Sequence, residues 1–181
     1  MSDDSSASQD IDALSLDEAL AAHSDDGRIV DVEEPTQQVV LFRLGTQRFA
    51  LPGSAVQEIL GRDQEVYYVP GLPASTEGVI HLRGAIESVI RLQPLLGLPA
   101  PSAAQGMILL VKGAGLRSGV RIDHLDDVCA MPQSAFKDAP DTLPEALHPF
   151  VAALLHENDA HDATALLDAD ALMAAYRAGQ G

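Results

Sequence analysis

The residues best equipped for covalent chemistry lie late in the chain, in His156-Glu157-Asn158-Asp159-Ala160-His161-Asp162. Zinc proteases use His-Glu-x-x-His because a separation of four places both imidazoles on one helical face. Here the separation is five, which on a helix turns the second ring about 140° away. The local composition also favours a turn, so the stretch reads as a solvated hairpin loop. A metal-dependent hydrolase built on His156–His161 is the enzymatic alternative. His124 beside Asp126 and Asp127 reads as an exposed strand-end cluster rather than a base with its orienting acid. Lys112-Gly113-Ala114-Gly115 lacks the spacing and following helix of a phosphate loop and reads as a hairpin turn. No Gly-x-Ser-x-Gly elbow occurs, and the single cysteine, Cys129, sits in Val-Cys-Ala-Met as a small buried hydrophobe. These residues predict neither a cofactor nor a metal site, and a protein that is not an enzyme.

Two charged residues remain that are not easily explained as solvated. Glu58 stands in Val56-Gln57-Glu58-Ile59, and Arg83 in His81-Leu82-Arg83-Gly84. Burying either alone is costly, so a mutual pair is the natural solution. Such a pair could simply fix two strands, or it could form part of a binding surface. Arg83 could also be a strand-end arginine whose head group reaches water.

The elements that position these residues are short strands. Gly78–Leu92 holds two apolar runs of strand length, with Gly84 supplying the bend between them, so Arg83 sits at the lip of a hairpin or corner. Upstream, order is expected from Gln38. Val40, Phe42 and Leu44 alternate with Leu41 and Arg43 as a strand with one buried face, and Arg48–Leu51 returns beside it. Ser54–Gly61 is ambiguous between a helical turn and a strand. Val66–Val69 reads as a strand from its β-branched and aromatic residues. Pro94–Gln105 reads as a crossing loop with a helical turn at Leu95-Leu96. Met107–Val111, Leu116–Ile122, Leu125–Met131, Phe150–Leu155 and Thr164–Leu167 complete the strands, and Gln133–Pro149 is irregular. A final helix follows, capped by Asp168 or Asp170, with Gly179 at its end.

Composition bounds the partners. The 181 residues carry a formal charge of −16 and are 46% hydrophobic but only 4% aromatic, so the core is mainly aliphatic. Met1–Pro35 holds eleven acids against Arg28 alone, a net of −10. Residues 1–36 thus read as an acidic, disordered tail, with a capping box at Ser15-Leu16-Asp17-Glu18 that could start a short helix. So acidic a chain is repelled by nucleic-acid phosphates and anionic lipid, which excludes nucleic-acid binding. No apolar run approaches the roughly 18 residues of a membrane span, and the opening Ser-Asp-Asp is unlike a secretory leader, so a cytoplasmic protein without membrane insertion is expected.

Four pieces then fall in order: VQEI (56–59), PGLP (70–73), GVIHLRG (78–84) and VIRL (89–92). This series resembles the CheW family of chemotaxis coupling proteins, with its V-x-E-I, P-x-x-P, G-V-x-N-L-R-G and V-I-D-L. The resemblance runs from about Gln38 to Tyr176. Asp123 falls at the Asp of the family's L-V-D-x-V strand, and Leu166-Leu167-Asp168 at its closing L-L-D. The resemblance implies a mainly β fold of two small five-stranded SH3-like barrels on a shared core, with a C-terminal helix, over residues 37–178. It also implies a non-catalytic adaptor that couples the cytoplasmic tips of methyl-accepting chemoreceptors to a CheA-type histidine kinase, whose regulatory domain is itself CheW-like. Through these partners the protein would join a membrane-bound array. Glu58 and Arg83 would lie on the partner surface, with Val56, Gly78, Val79 and Leu82 as its apolar rim, Gly78 admitting a close backbone. Three departures stand out: His81 replaces the common Asn, Arg91 stands where an acid is usual, and Ser88 replaces a frequent proline. A pilus-motility or surface-sensing pathway fits these residues as well as swimming chemotaxis.

Overall fold

The hairpin that carries Arg83 forms one edge of the second of two sheets. The computed structural model describes residues 33–101, 106–157 and 163–179. The tail with its capping box, Ser102–Gln105 of the crossing loop, and Asn158–Asp162 lie outside the described residues.

Strand β1 (Thr36–Leu44) turns back into β2 (Gln47–Pro52) across Gly45-Thr46, where Gly45 takes a positive φ of 61° and its N–H is held by Asp123 Oδ2 at 2.5 Å. A single 3-10 turn, Gly53–Ala55, leads into β3 (Val56–Leu60), so the ambiguous Ser54–Gly61 stretch is both a turn and a strand. Then come β4 (Thr76–Leu82), β5 (Ala85–Arg91) and the one-turn helix α1 (Gln93–Leu96), ended by Gly97 in the left-handed conformation. Next are β6 (Met107–Gly113), β7 (Leu116–Ile122) and β8 (His124–Pro132). A second 3-10 turn, Gln133–Ala135, precedes the two-residue β9 (Phe136–Lys137). The chain closes with β10 (Val151–Leu155), β11 (Thr164–Leu167) and helix α2 (Ala169–Arg177). Asp168 caps α2 by accepting the Ala171 N–H at 3.0 Å.

The strands form a six-stranded sheet in the order β8-β1-β2-β11-β10-β9 and a five-stranded sheet in the order β3-β6-β7-β5-β4. The first exceeds the expected five strands by the two-residue β9. Both sheets curl. In the first, edge strands β8 and β9 are joined through only the three-residue 3-10 turn, so the two edges are tethered together. In the second, Glu58 on edge strand β3 meets Arg83, just beyond edge strand β4. No hydrogen-bonded ring closes among the described strands.

Apolar residues fill three spaces that follow from this curling. Val39, Leu41, Ala50, Met131, Leu155 and Leu166 pack inside the first curl. Leu60, Ile80, Val89 and Ile108 pack inside the second. Between the sheets lies the largest cluster, which brings Phe42, Phe49 and Leu51 against Ile90, Leu109, Val120 and Ile122, with Leu172 and Met173 of α2 added. This shared core explains β1. One buried face was expected, but Val39 through Phe42 are all buried because the strand is packed on both sides. Helix α2 is stable only in this context, since nine residues are too few to hold a helix alone in water.

One strand expectation fails. Val66–Val69 forms no strand, only a single bridge in which Tyr67 and Val79 exchange N–H···O=C bonds of 2.8 and 2.9 Å. Its residue types suit a pleated surface, but no element covers them: Tyr67 and Tyr68 are largely exposed. Immediately after Val69 the Pro70-Gly71 turn, with Gly71 at φ 83°, takes the chain away from the edge.

Candidate recognition surface

The tip of the β4–β5 hairpin is a two-residue loop, Arg83-Gly84, between the paired Leu82 and Ala85. Both loop residues have positive φ, 50° and 82°. That is the backbone of a type I′ turn, whose twist matches that of the flanking strands. Glycine reaches this conformation freely, whereas an arginine does so at a cost of about 1 kcal/mol. Arg83 is held there with its side chain 77% exposed, and its Nη2 donates to Glu58 Oε1 at 3.0 Å. Glu58 is aimed by a bulge: between Val56 and Glu58 the register against β6 shifts, leaving Gln57 as the extra residue.

The six residues singled out from the sequence are placed as follows. Arg83, Leu82 and Glu58 come together at the hairpin end, with Leu82 half-buried against the inner cluster of the second curl. Val79 lies half-buried further along β4, and Val56 packs against the shared core. Gly78 is buried, and a Cβ there would stand 2.4 Å from the Tyr67 carbonyl oxygen. The backbone that approaches Gly78 is therefore the chain's own. Beside this row, the outward faces of β4 and β5 pair His81 with Ile86, and Ile86 is 73% exposed.

At the base of the same hairpin lies a second ion cluster that the sequence reading missed. Glu77 receives Arg121 through two bonds, Nε–Oε2 at 3.0 Å and Nη2–Oε1 at 2.6 Å, and Arg91 Nε approaches at 3.3 Å. Arg121 also donates to the Gly106 carbonyl. Glu77 is the extra residue of another bulge, since Thr76 pairs with Ile90 and Gly78 with Val89. Arg91 and Arg121 are direct neighbours on the parallel strands β5 and β7, a like-charge juxtaposition that only a shared carboxylate makes tolerable. The charge inversion at Arg91 is thus taken up within the protein. Only its departure from the family pattern signalled it; no linear spacing links Glu77, Arg91 and Arg121.

The other chemical candidates offer little reactivity. His124 lies 3.6 Å from Asp126, whose carboxylate also serves Arg43 at 2.9 Å. Cys129 is half-buried rather than buried. Burial, and then the negative charges of Asp127 and Glu157, hold its thiol above the usual pKa, so it is a poor nucleophile. The Tyr67 phenol is also pushed up, first by its hydrogen bond to Glu65 and then by that charge. Among the described residues no three His, Cys, Asp or Glu converge to hold a metal. His156 is exposed and its backbone N–H bonds Ala135, while Asp159 and His161 lie outside the described residues. What this geometry can do is recognise: a strained, exposed arginine with a carboxylate partner, beside the exposed Ile86 and the half-buried Leu82 and Val79.

The CheW-like domain family matches residues 38–177. The chain is 26% identical over 128 residues to the probable chemotaxis protein CheW of Rhizobium etli, covering 70% of this chain and 82% of that protein. It is 29% identical over 106 residues to the chemotaxis protein CheW of Klebsiella aerogenes, covering 58% and 63% respectively. The crystal structure of the scaffolding protein TtCheW from Thermoanaerobacter tengcongensis superposes with a TM-score of 0.67 at 22% identity, over 76% of this chain and 92% of that one. That likeness establishes the fold.

Proposed function

We propose that this chain, which belongs to the CheW-like domain family, is a non-catalytic adaptor that couples chemoreceptor cytoplasmic tips to a CheA-type histidine kinase. The observation that carries the proposal is the hairpin tip. Arg83 occupies a left-handed backbone position that glycine would fill more easily, and its guanidinium is spent on an exposed pair rather than on the core. An exposed ion pair contributes at most about 1 kcal/mol to folding. An arginine at the centre of an interface can contribute about 2 kcal/mol or more to binding. The surface comprises Arg83, Glu58, Leu82, Val79 and Val56, while Gly78 supports it by letting the Tyr67 segment lie against β4.

Such an adaptor moves no electrons or protons. It sets the spacing of kinase and receptor, so that a change of receptor conformation alters phosphotransfer by the kinase. Among the described residues no helix is long and apolar enough to cross a membrane, consistent with recruitment to an array through partners. Residues 37–178 form the coupling domain, and the acidic residues 1–36 are an appendage to it. A protein lacking residues 1–34 is expected to melt within about 10 °C of the full chain.

The test is a titration of Arg83→Ala and Arg83→Glu against a kinase regulatory domain and a receptor signalling fragment. Arg83→Ala is expected to lose at least tenfold in affinity, about 1.4 kcal/mol, while melting within a few degrees of wild type. Arg83→Glu is expected to lose more, because it sets two acids against each other. Unchanged affinity in a folded Arg83→Ala protein would remove this tip from the interface.

A further inference from the structure

We propose that Asp127 keeps strand β8 single: its carboxylate occupies a backbone donor that would otherwise pair β8 with β8 of a second copy of this chain. β8 is an edge of the larger sheet and meets β1 on one side alone. Which of its backbone groups face outward follows from the β1–β2 hairpin. The two-residue loop Gly45-Thr46 closes on Leu44 and Gln47, so Leu44, Phe42 and Val40 bond to β2, and Arg43, Leu41 and Val39 turn towards β8. The Asp123 N–H accordingly donates to the Arg43 carbonyl at 3.0 Å. Asp127 and Cys129, opposite Leu41 and Val39, bond to β1. Val128 and Ala130 therefore turn their N–H and C=O groups away from it.

An open row of this kind is what a sheet edge offers to another strand. Val128 and Ala130 are both exposed, and Pro132, which has no N–H, ends the row. Of these outward groups only the Val128 N–H is taken among the described residues: it donates to Asp127 Oδ1 at 2.8 Å. The occupant is set by register. A twofold axis through Cys129 places Val128 opposite Ala130 of the second copy, and Ala130 opposite its Val128, so every outward donor and acceptor finds a mate. The same register sets Asp127 opposite Met131, so the two carboxylates are not forced together. It also brings the two Cys129 residues face to face as a pair without mutual hydrogen bonds. Their Cα atoms would lie about 4.5 Å apart, a separation that a disulfide spans. What holds the edge single is the cap, because the pairing needs the Val128 N–H of both copies.

The experiment compares the full chain with Asp127→Ala and Asp127→Thr, both at an exposed position, by sedimentation velocity and by oxidation with diamide. In that oxidation two Cys129 thiols give up two protons and two electrons to diamide and form a disulfide. Each variant is expected to associate at least tenfold more tightly than the wild type and to cross-link through Cys129 at least tenfold faster. Removing Asp127 also makes the thiol itself more reactive, since that charge helps to raise its pKa. Asp127→Ala combined with Ala130→Pro separates the two effects. The proline removes an outward N–H while the bonds to β1 stay in place, and it is expected to abolish both the dimer and the fast cross-link. Variants that associate no more tightly than the wild type would overturn the proposal. So would a dimer or fast cross-link that survives Ala130→Pro, or a wild type that cross-links as fast as Asp127→Ala.

Discussion

The two ends of one hairpin carry the same chemistry to different purposes. At the base of β4–β5, Glu77 is 14% exposed and Arg121 8%, and a bulge, a parallel neighbour and a backbone carbonyl all fix the pair. At the tip, Arg83 is in water and only one bond joins it to Glu58. A desolvated ion pair holds a structure together chiefly by what happens when one partner is lost, because the remaining charge has no water to return to. A solvated pair can open and exchange its partner cheaply. The base therefore belongs to folding, and the tip is free for recognition.

The difference can be broken most directly at Glu77. Glu77→Ala strands Arg121 beside Arg91 and is expected to cost about 3–5 kcal/mol. Calorimetry should show a melting temperature lower by about 10 °C or more. A wild-type melt would mean that the two ends do not differ in kind. Glu58→Ala, measured in the same way, is expected to cost about 1 kcal/mol or less while still weakening partner binding.

A smaller effect separates this tip from its counterpart between β6 and β7. Ala114-Gly115 repeats the positive φ values, 47° and 73°, but helix α2 holds it: Asp170 accepts the Ala114 N–H at 2.6 Å, and Arg177 donates to the Ala114 carbonyl at 2.7 Å. Asp170→Ala should therefore destabilise by about 1 kcal/mol, whereas Arg83→Gly should be neutral or stabilising in chemical denaturation. The smallest effect is expected at Cys129, a group near charges but without an opposite partner. Its folded pKa lies above its unfolded value, so its contribution to stability is complete below the unfolded pKa and lost as pH rises through the folded one. Iodoacetamide labelling at pH 8.5 should be slower than for the denatured chain, and Cys129→Ala should flatten the alkaline slope of stability.

Local patterns served well wherever one element decides the conformation. Val40, Phe42 and Leu44 marked β1, the Gly84 and Gly115 turns marked their hairpins, and Asp168 marked the start of α2. The Arg83–Glu58 pair was legible because two charges in apolar runs call for each other. Val66–Val69 misled because strand propensity describes fitness for a covered surface, and the fold leaves Tyr67 and Tyr68 uncovered. The Glu77 cluster could not be assembled from the unusual Arg91 alone, because two features of tertiary structure create it, a bulge that frees one residue and a parallel pairing of β5 with β7. The burial of both faces of β1 likewise depends on a second sheet that its own residues do not describe.

The two sheets also differ in how much of the chain each must wait for. All five strands of the smaller sheet come from Val56–Ile122, an unbroken run in which the hairpins β4–β5 and β6–β7 are joined by the β3–β6 and parallel β5–β7 pairings. The larger sheet is assembled from both ends of the domain, since β2 pairs in parallel with β11, Phe49 against Ala165. On a ribosome the N-terminal hairpin emerges first, yet this pairing must wait until Thr164–Leu167 has been synthesised. Until then β2 presents an unpaired edge with Phe49 and Leu51 beside it, the kind of surface that chaperones hold and proteases find. Translation stalled before Thr164 thus yields a chain that can complete its smaller sheet while the larger lacks the strand that covers β2.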